Sequence, residues 1–115
     1  MREQIVVVHL EDNADEKILT WMEEQEATKM IAVYFSEPES PMLSNMALAV
    51  GANKVYMIEI KPTEDTVAFK AKKLIAIAEK EHAHVIATGL QLYHVVRSLI
   101  YNENIIKIVS PEAQL

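Results

Sequence analysis

The residues with chemical potential are few and scattered. His9 is followed by Glu11 and Asp12, Thr88 is followed by Gly89 and Gln91, and Ser36 closes an apolar run. His82 and His84 form a close pair, and Tyr93, His94, Arg97 and Tyr101 cluster late in the chain. If His9, Asp12 and Thr88 converged, they would supply a base, an acid and a hydroxyl for proton transfer. No GxSxG elbow is present to present a serine nucleophile. A first-row metal site wants three or four converging ligands with supporting hydrogen bonds. The chain has no cysteine and no HExxH, so His82 and His84 read as solvated histidines at the start of a strand. His94, Arg97 and Tyr101 fall at i, i+3 and i+7, with Tyr93 four residues before Arg97, which is one side of a helix. Tyr and Arg are enriched where proteins meet partners, so this face is the expected interface.

Composition narrows the field. The 115 residues carry 11 Lys+Arg against 17 Asp+Glu, a formal charge of −6, and half of them are apolar. That length suits one domain over residues 1–115 with a core of its own. The absence of cysteine removes thiol catalysis, zinc ribbons, iron–sulfur clusters and disulfide scaffolds. Two glycines leave no room for a GxGxxG or Walker loop, which need glycine to close the backbone on phosphate. The acidic balance argues against nucleic acid. The N-terminus enters Ile5–Val8 without a leader pattern, and the longest apolar run, Met30–Phe35, is far below the roughly 20 residues that span a bilayer. A cytoplasmic chain with no membrane partner is expected.

Five nearly continuous apolar runs read as strands covered on both faces: Gln4–Leu10, Met30–Phe35, Lys54–Ile60, His84–Thr88 and Ile105–Val109. Helical patterns fill the gaps. Ala14–Thr28 carries an Ile18–Met22 stripe with Trp21 beside it at the core edge. Met42–Val50 has Pro41 at its entry and Gly51 at its exit. Glu64 to about His82 repeats Val67, Ala71, Leu74, Ile75 and Ala78, with Thr63 or Asp65 as a cap. Leu90–Asn102 offers Leu92, Val95, Val96, Leu99 and Ile100 to the core. Strand and helix alternating to a fifth strand predict a three-layer, Rossmann-like α/β fold, a five-stranded parallel sheet with helices on both faces. The alternation fits strand orders 3-2-1-4-5 and 2-1-3-4-5 equally.

Ligands of such sheets bind beyond the carboxyl ends of the strands. That edge collects His9, Glu11, Asp12 and Asn13; then Ser36 and Glu37; then Lys61–Asp65; then Thr88, Gly89 and Gln91; and finally Ser110.

The stretch Ala47-Leu48-Ala49-Val50-Gly51-Ala52-Asn53-Lys54-Val55-Tyr56 leads to an acidic turn with Asp65-Thr66. A helix containing Ala68 and Leu74 follows, and then Val85-Ile86-Ala87-Thr88-Gly89. Together these resemble the N-terminal nucleotide-binding-like domain of electron transfer flavoprotein subunits, a relative of the universal stress proteins and other adenine-nucleotide-handling domains. The resemblance runs from about Met30 to Ser110 and is specific at Gly51–Val55 and Ala87–Gly89. It implies the order 3-2-1-4-5 and a pocket for an adenine nucleotide, AMP or ATP, bounded by His9, Glu11, Asp12, Ser36, Thr88, Gly89 and Gln91. It also implies pairing with a second copy or a related subunit. The segment after Gly89 has no further glycine, and no flavin-carrying portion follows, so a flavin is not expected.

A receiver domain shares this rhythm and would use Glu11, Asp12, an acid near Glu59, Thr88 and a basic residue near Ser110. Glu59 is a poor substitute for a phosphoacceptor aspartate, so that alternative is an inactive receiver-like module. A small enzyme using the carboxyl-edge residues is the other. The leading expectation is a non-catalytic module that binds a nucleotide or a protein partner.

Overall fold

A computed structural model describes residues 3–10, 16–35, 48, 51–100 and 106–111. Its strands are β1 (Ile5–His9), β2 (Lys29–Phe35), β3 (Lys54–Ile58), β4 (Val85–Ala87) and β5 (Lys107–Val109); its helices are α1 (Glu16–Glu24), α2 (Val67–Lys80) and α3 (Leu90–Leu99). All four strand pairings are parallel, and the order across the sheet is β3-β2-β1-β4-β5. The expected α/β architecture is therefore present, in the 3-2-1-4-5 arrangement. A receiver places its third strand beside the first. Here β3 is an edge strand and Glu59 is exposed, so the receiver-like alternative does not fit.

The continuous apolar runs follow from burial on both faces. Ile5, Val7, Ile31, Val33, Phe35 and Ile86 pack on one face against Ala71, Leu74, Ile77 and Ala78 of α2 and Leu92 and Val96 of α3. Val6, Val8, Met30, Ala32, Tyr34 and Ala87 pack on the other against Ile18, Leu19 and Met22 of α1. Each fully buried aliphatic side chain contributes roughly 1.5–3 kcal/mol of transfer free energy. Among the described residues no helix is long and apolar enough to cross a membrane.

The elements are shorter than their sequence patterns, because polar ends fray where packing stops. The expected Ala14–Thr28 helix is described as α1, Glu16–Glu24, and ends at Glu24 rather than Thr28; Ala14 lies outside the described residues, and Trp21 is half-buried at the core edge, as expected. Glu64 belongs to a 3-10 turn, Pro62–Glu64, rather than to α2. The cap of α2 is neither Thr63 nor Asp65 but Thr66, whose hydroxyl accepts from the Phe69 N–H at 3.2 Å. Ile77, missing from the predicted stripe, is buried, while Val67 and Ile75 are only partly so. α3 stops at Leu99, which is exposed rather than buried. Of the predicted Met42–Val50 helix only Leu48 is described, in helical conformation.

Candidate functional site at the carboxyl edge

Strand register builds the site. Val8 of β1 is level with Ala87 of β4, and Ala87 is level with Val109 of β5. One step further, His9, Thr88 and Ser110 stand in a row across three adjacent strands. The Thr88 N–H, donating to the Val109 carbonyl at 3.1 Å, continues the ladder to this level. Side chains alternate along a strand, so the row continues the face that carries Val7, Ile86 and Ile108 beneath α2 and α3. Where that face would otherwise be apolar, it is polar and buried: His9 is 2% exposed, Thr88 0% and Ser110 4%.

His9 Nδ1 lies 3.2 Å from Thr88 Oγ1, and the His9 ring sits 5.2 Å from that of Phe35. In either tautomer this contact holds the imidazole by Nδ1 and leaves Nε2 as its second polar atom. Burial pushes the His9 pKa down to about 4, and the Lys70 ammonium on α2 adds a smaller push in the same direction. The imidazole is neutral at physiological pH. Ser110 Oγ is buried with no hydrogen-bond partner among the described residues. Buried hydroxyls without partners are rare and costly, and a ligand is one of the few things that can satisfy them.

Next to this row α3 begins. Its N-cap is Gly89, which offers no side-chain cap, and the first intrahelical bond runs from the Tyr93 N–H to the Gly89 carbonyl at 2.9 Å. Among the described residues, the N–H groups ahead of Tyr93 meet no capping side chain, at the end of the helix that favours negative charge. Lys70, held by Asp65 at 2.9 Å, adds a positive charge from α2. Neutral hydrogen-bonding groups thus sit beside an electropositive helix end.

The structure brings together His9, Thr88 and Gly89 among the expected pocket residues. Gln91 is exposed in the first turn of α3. Glu11, Asp12 and Ser36 lie outside the described residues, as does Tyr101 of the expected interface. On α3, Arg97 donates to the Tyr93 hydroxyl at 3.1 Å, and exposed His94 meets the Tyr93 ring edge-on with centroids 5.3 Å apart. Sequence reasoning missed Lys70 as a neighbour of the site and left Ser110 outside the pocket. The register of β5 reveals the second; nothing short of helix placement reveals the first.

Two further sets of polar residues serve the fold. Within the specific Gly51–Val55 segment, the Asn53 N–H donates to the Met30 carbonyl at 2.7 Å and its Oδ1 accepts from the Met30 N–H at 2.8 Å, pinning β3 to β2. At the opposite edge of the sheet, Glu81 accepts from Lys29, Lys54 and Tyr56 at 3.1, 2.7 and 2.5 Å. Hydrogen bonds from Lys54, Tyr56 and Lys29 hold its pKa down near 2. His84 accepts the Ile5 N–H at Nδ1, 3.1 Å away, which ties β1 to the turn before β4. Among the described residues no three His, Asp or Glu side chains gather as a metal site.

No family model matches the chain, and no curated protein matches it in sequence. Among solved structures, the crystal structure of the glycotransferase of kitacinnamycin has a similar fold, with a TM-score of 0.64 at 17% identity. The match covers 96% of this chain and 31% of that one. At such identity the likeness shows the α/β fold alone.

Proposed function

We propose that the chain is a non-catalytic binding module, of the kind its sequence resembles in electron transfer flavoprotein subunits, which takes an adenine nucleotide at the carboxyl edge of the sheet. The observation that carries this reading is the buried row His9–Thr88–Ser110 beside the N-terminus of α3, where, among the described residues, no side chain caps the helix and Ser110 Oγ has no partner. The helix end and Lys70 suit the phosphate, and the neutral row suits the hydroxyls or base of a nucleoside. Among the described residues the site holds no activated nucleophile: the Thr88 hydroxyl is buried against a histidine of low basicity.

Assembly with a second copy or a related subunit belongs to the same proposal, supported by Leu90 (44% exposed), which shares the α3 face of His94 and Arg97. Light scattering showing a monomer at high micromolar concentration removes the self-association part.

Calorimetric titration with AMP and ATP tests the binding part. Saturable binding is expected, weakened about tenfold or more by Thr88→Val and by Ser110→Ala, because each removes one hydrogen bond worth roughly 1–3 kcal/mol when it is buried or charge-assisted. Binding that is unchanged in both variants takes the nucleotide away from this row.

A further inference from the structure

The two edges of the sheet differ. β5 is three residues long and opens with the exposed Lys107, the short and charged form in which natural edge strands resist pairing. β3 is five residues long and, among the described residues, bonds on one side only, to β2. Its sequence, Lys-Val-Tyr-Met-Ile, holds no proline and a single charge. That charge is drawn off the edge, because Lys54 binds Glu81 at 2.7 Å. Met57 is left 53% exposed in the middle of an apolar run.

The direction of the backbone groups follows from the register. The Lys29 N–H donates to the Gln4 carbonyl at 3.2 Å and the Leu10 N–H to the Val33 carbonyl at 2.9 Å. Odd-numbered residues of β2 therefore turn their polar groups to β1. The even-numbered ones turn to β3, where the Met30 carbonyl accepts the Asn53 N–H at 2.7 Å. Ala32 is level with Val55 and Tyr34 with Met57, so Lys54, Tyr56 and Ile58 point their polar groups inward. Val55 and Met57 present an N–H and a carbonyl each to the open edge.

Laid antiparallel beside a copy of itself, the strand overlaps in full at one register, with each Tyr56 opposite the other. Val55 and Met57 then stand opposite each other and exchange N–H···O=C bonds in both directions. They meet on the face where Val55 packs toward α1. On the other face Lys54 meets Ile58 and the two Tyr56 rings meet, so no like charges oppose.

We propose that β3 is a dimerisation edge, pairing antiparallel with β3 of a second copy about a two-fold axis at Tyr56 and joining the two sheets into one. The two-fold consumes both β3 edges, so the pairing closes at a dimer. It deepens the assembly reading above, resting on that reading only for the second copy, and uses neither the carboxyl-edge row nor the α3 face. A five-residue strand pair is small against the roughly 1,200–2,000 Å² of standard interfaces, so a weak dimer is expected.

Sedimentation velocity of the full chain from micromolar to millimolar concentration reads that dimer. Met57→Lys sets a charge on the edge and is expected to weaken dimerisation about tenfold or more. Leu90→Lys, on α3, is expected to leave it unchanged. The chain has no cysteine, so Tyr56→Cys gives each copy one thiol. Its position is a non-hydrogen-bonded pair with Cα atoms about 4.5 Å apart, within disulfide reach. Oxidation is expected to link this variant into a covalent dimer and to leave Leu90→Cys unlinked, with circular dichroism showing the native fold in each variant. A monomer at every concentration overturns the proposal, as does a dimer that Met57→Lys leaves intact. A dimer lost in Leu90→Lys alone would move assembly to the α3 face and overturn this edge. A folded Tyr56→Cys variant that stays unlinked while it dimerises overturns the two-fold.

Discussion

His9 shows how one buried side chain ties the site to stability. Its imidazole is enclosed, bonded to Thr88 and held near pKa 4, against an ordinary value of 6.5. Above pH 6.5 the ring is neutral in both folded and unfolded chains, so it adds no pH dependence. Between pH 6.5 and about 4 the unfolded chain binds a proton that the folded chain refuses, so stability falls with pH by up to about 3 kcal/mol. Urea unfolding at pH 7 and at pH 4.5 is expected to show this loss, and His9→Gln is expected to flatten it. An unchanged slope in that variant would mean that the ring is not excluded from water. The low pKa of Glu81 acts on the acid side of this window: stability it adds above pH 4.5 is lost as pH falls toward 2. The two effects separate in one titration. That His9 and Thr88 lie together at the carboxyl edge was legible from position alone, since both end apolar runs. Lys70 was not, because it reads as one more lysine on the polar side of a helix. The convergence of Lys29, Lys54, Tyr56 and Glu81 was equally hidden, because four residues spread over 53 positions meet only through the sheet.

At the scale of elements, the helices end as their local chemistry dictates, except at one residue. The Ala83 N–H reaches the Ala78 carbonyl at 2.8 Å and the His82 N–H reaches that of Glu79 at 3.2 Å, a Schellman closure of α2. The residue this motif places in the left-handed region is usually glycine. Here it is His82, with φ 57°. Relieving the side-chain strain is worth roughly 1–2 kcal/mol, offset by the greater freedom glycine has in the unfolded chain. His82→Gly is expected to raise stability by up to about 1 kcal/mol. Gly51, at φ 101°, is the converse case, and an added Cβ would meet nothing within 4 Å. Gly51→Ala is therefore expected to destabilise through backbone strain alone, by about 1 kcal/mol. Thermal unfolding measures both, and a stabilised Gly51→Ala would contradict the geometry. Gly51 was readable as a helix stop from its place after an apolar helical pattern. His82 was not, because a histidine gives no sign of positive φ. The misplaced α2 cap has a similar cause: Thr63, Asp65 and Thr66 are all competent caps, and Pro62 commits the first of them to a separate turn.

At the scale of the molecule, alternation of apolar runs and helical stripes was enough for a parallel sheet with helices on both faces, because burying both faces leaves no other pattern. Strand order was not in that rhythm. It is settled by β3 pairing with β2 at the edge, which Asn53 secures through Met30. That order brings β1, β4 and β5 side by side and makes His9, Thr88 and Ser110 neighbours, so the topology creates the candidate site. Carboxyl-edge nucleotide binding is tested most directly by amide NMR of the labelled chain during titration with AMP. Saturable shifts are expected, centred on Thr88, on Gly89 to Leu92 at the start of α3, and on Ser110. Saturable shifts centred elsewhere, or none at millimolar AMP, would contradict it.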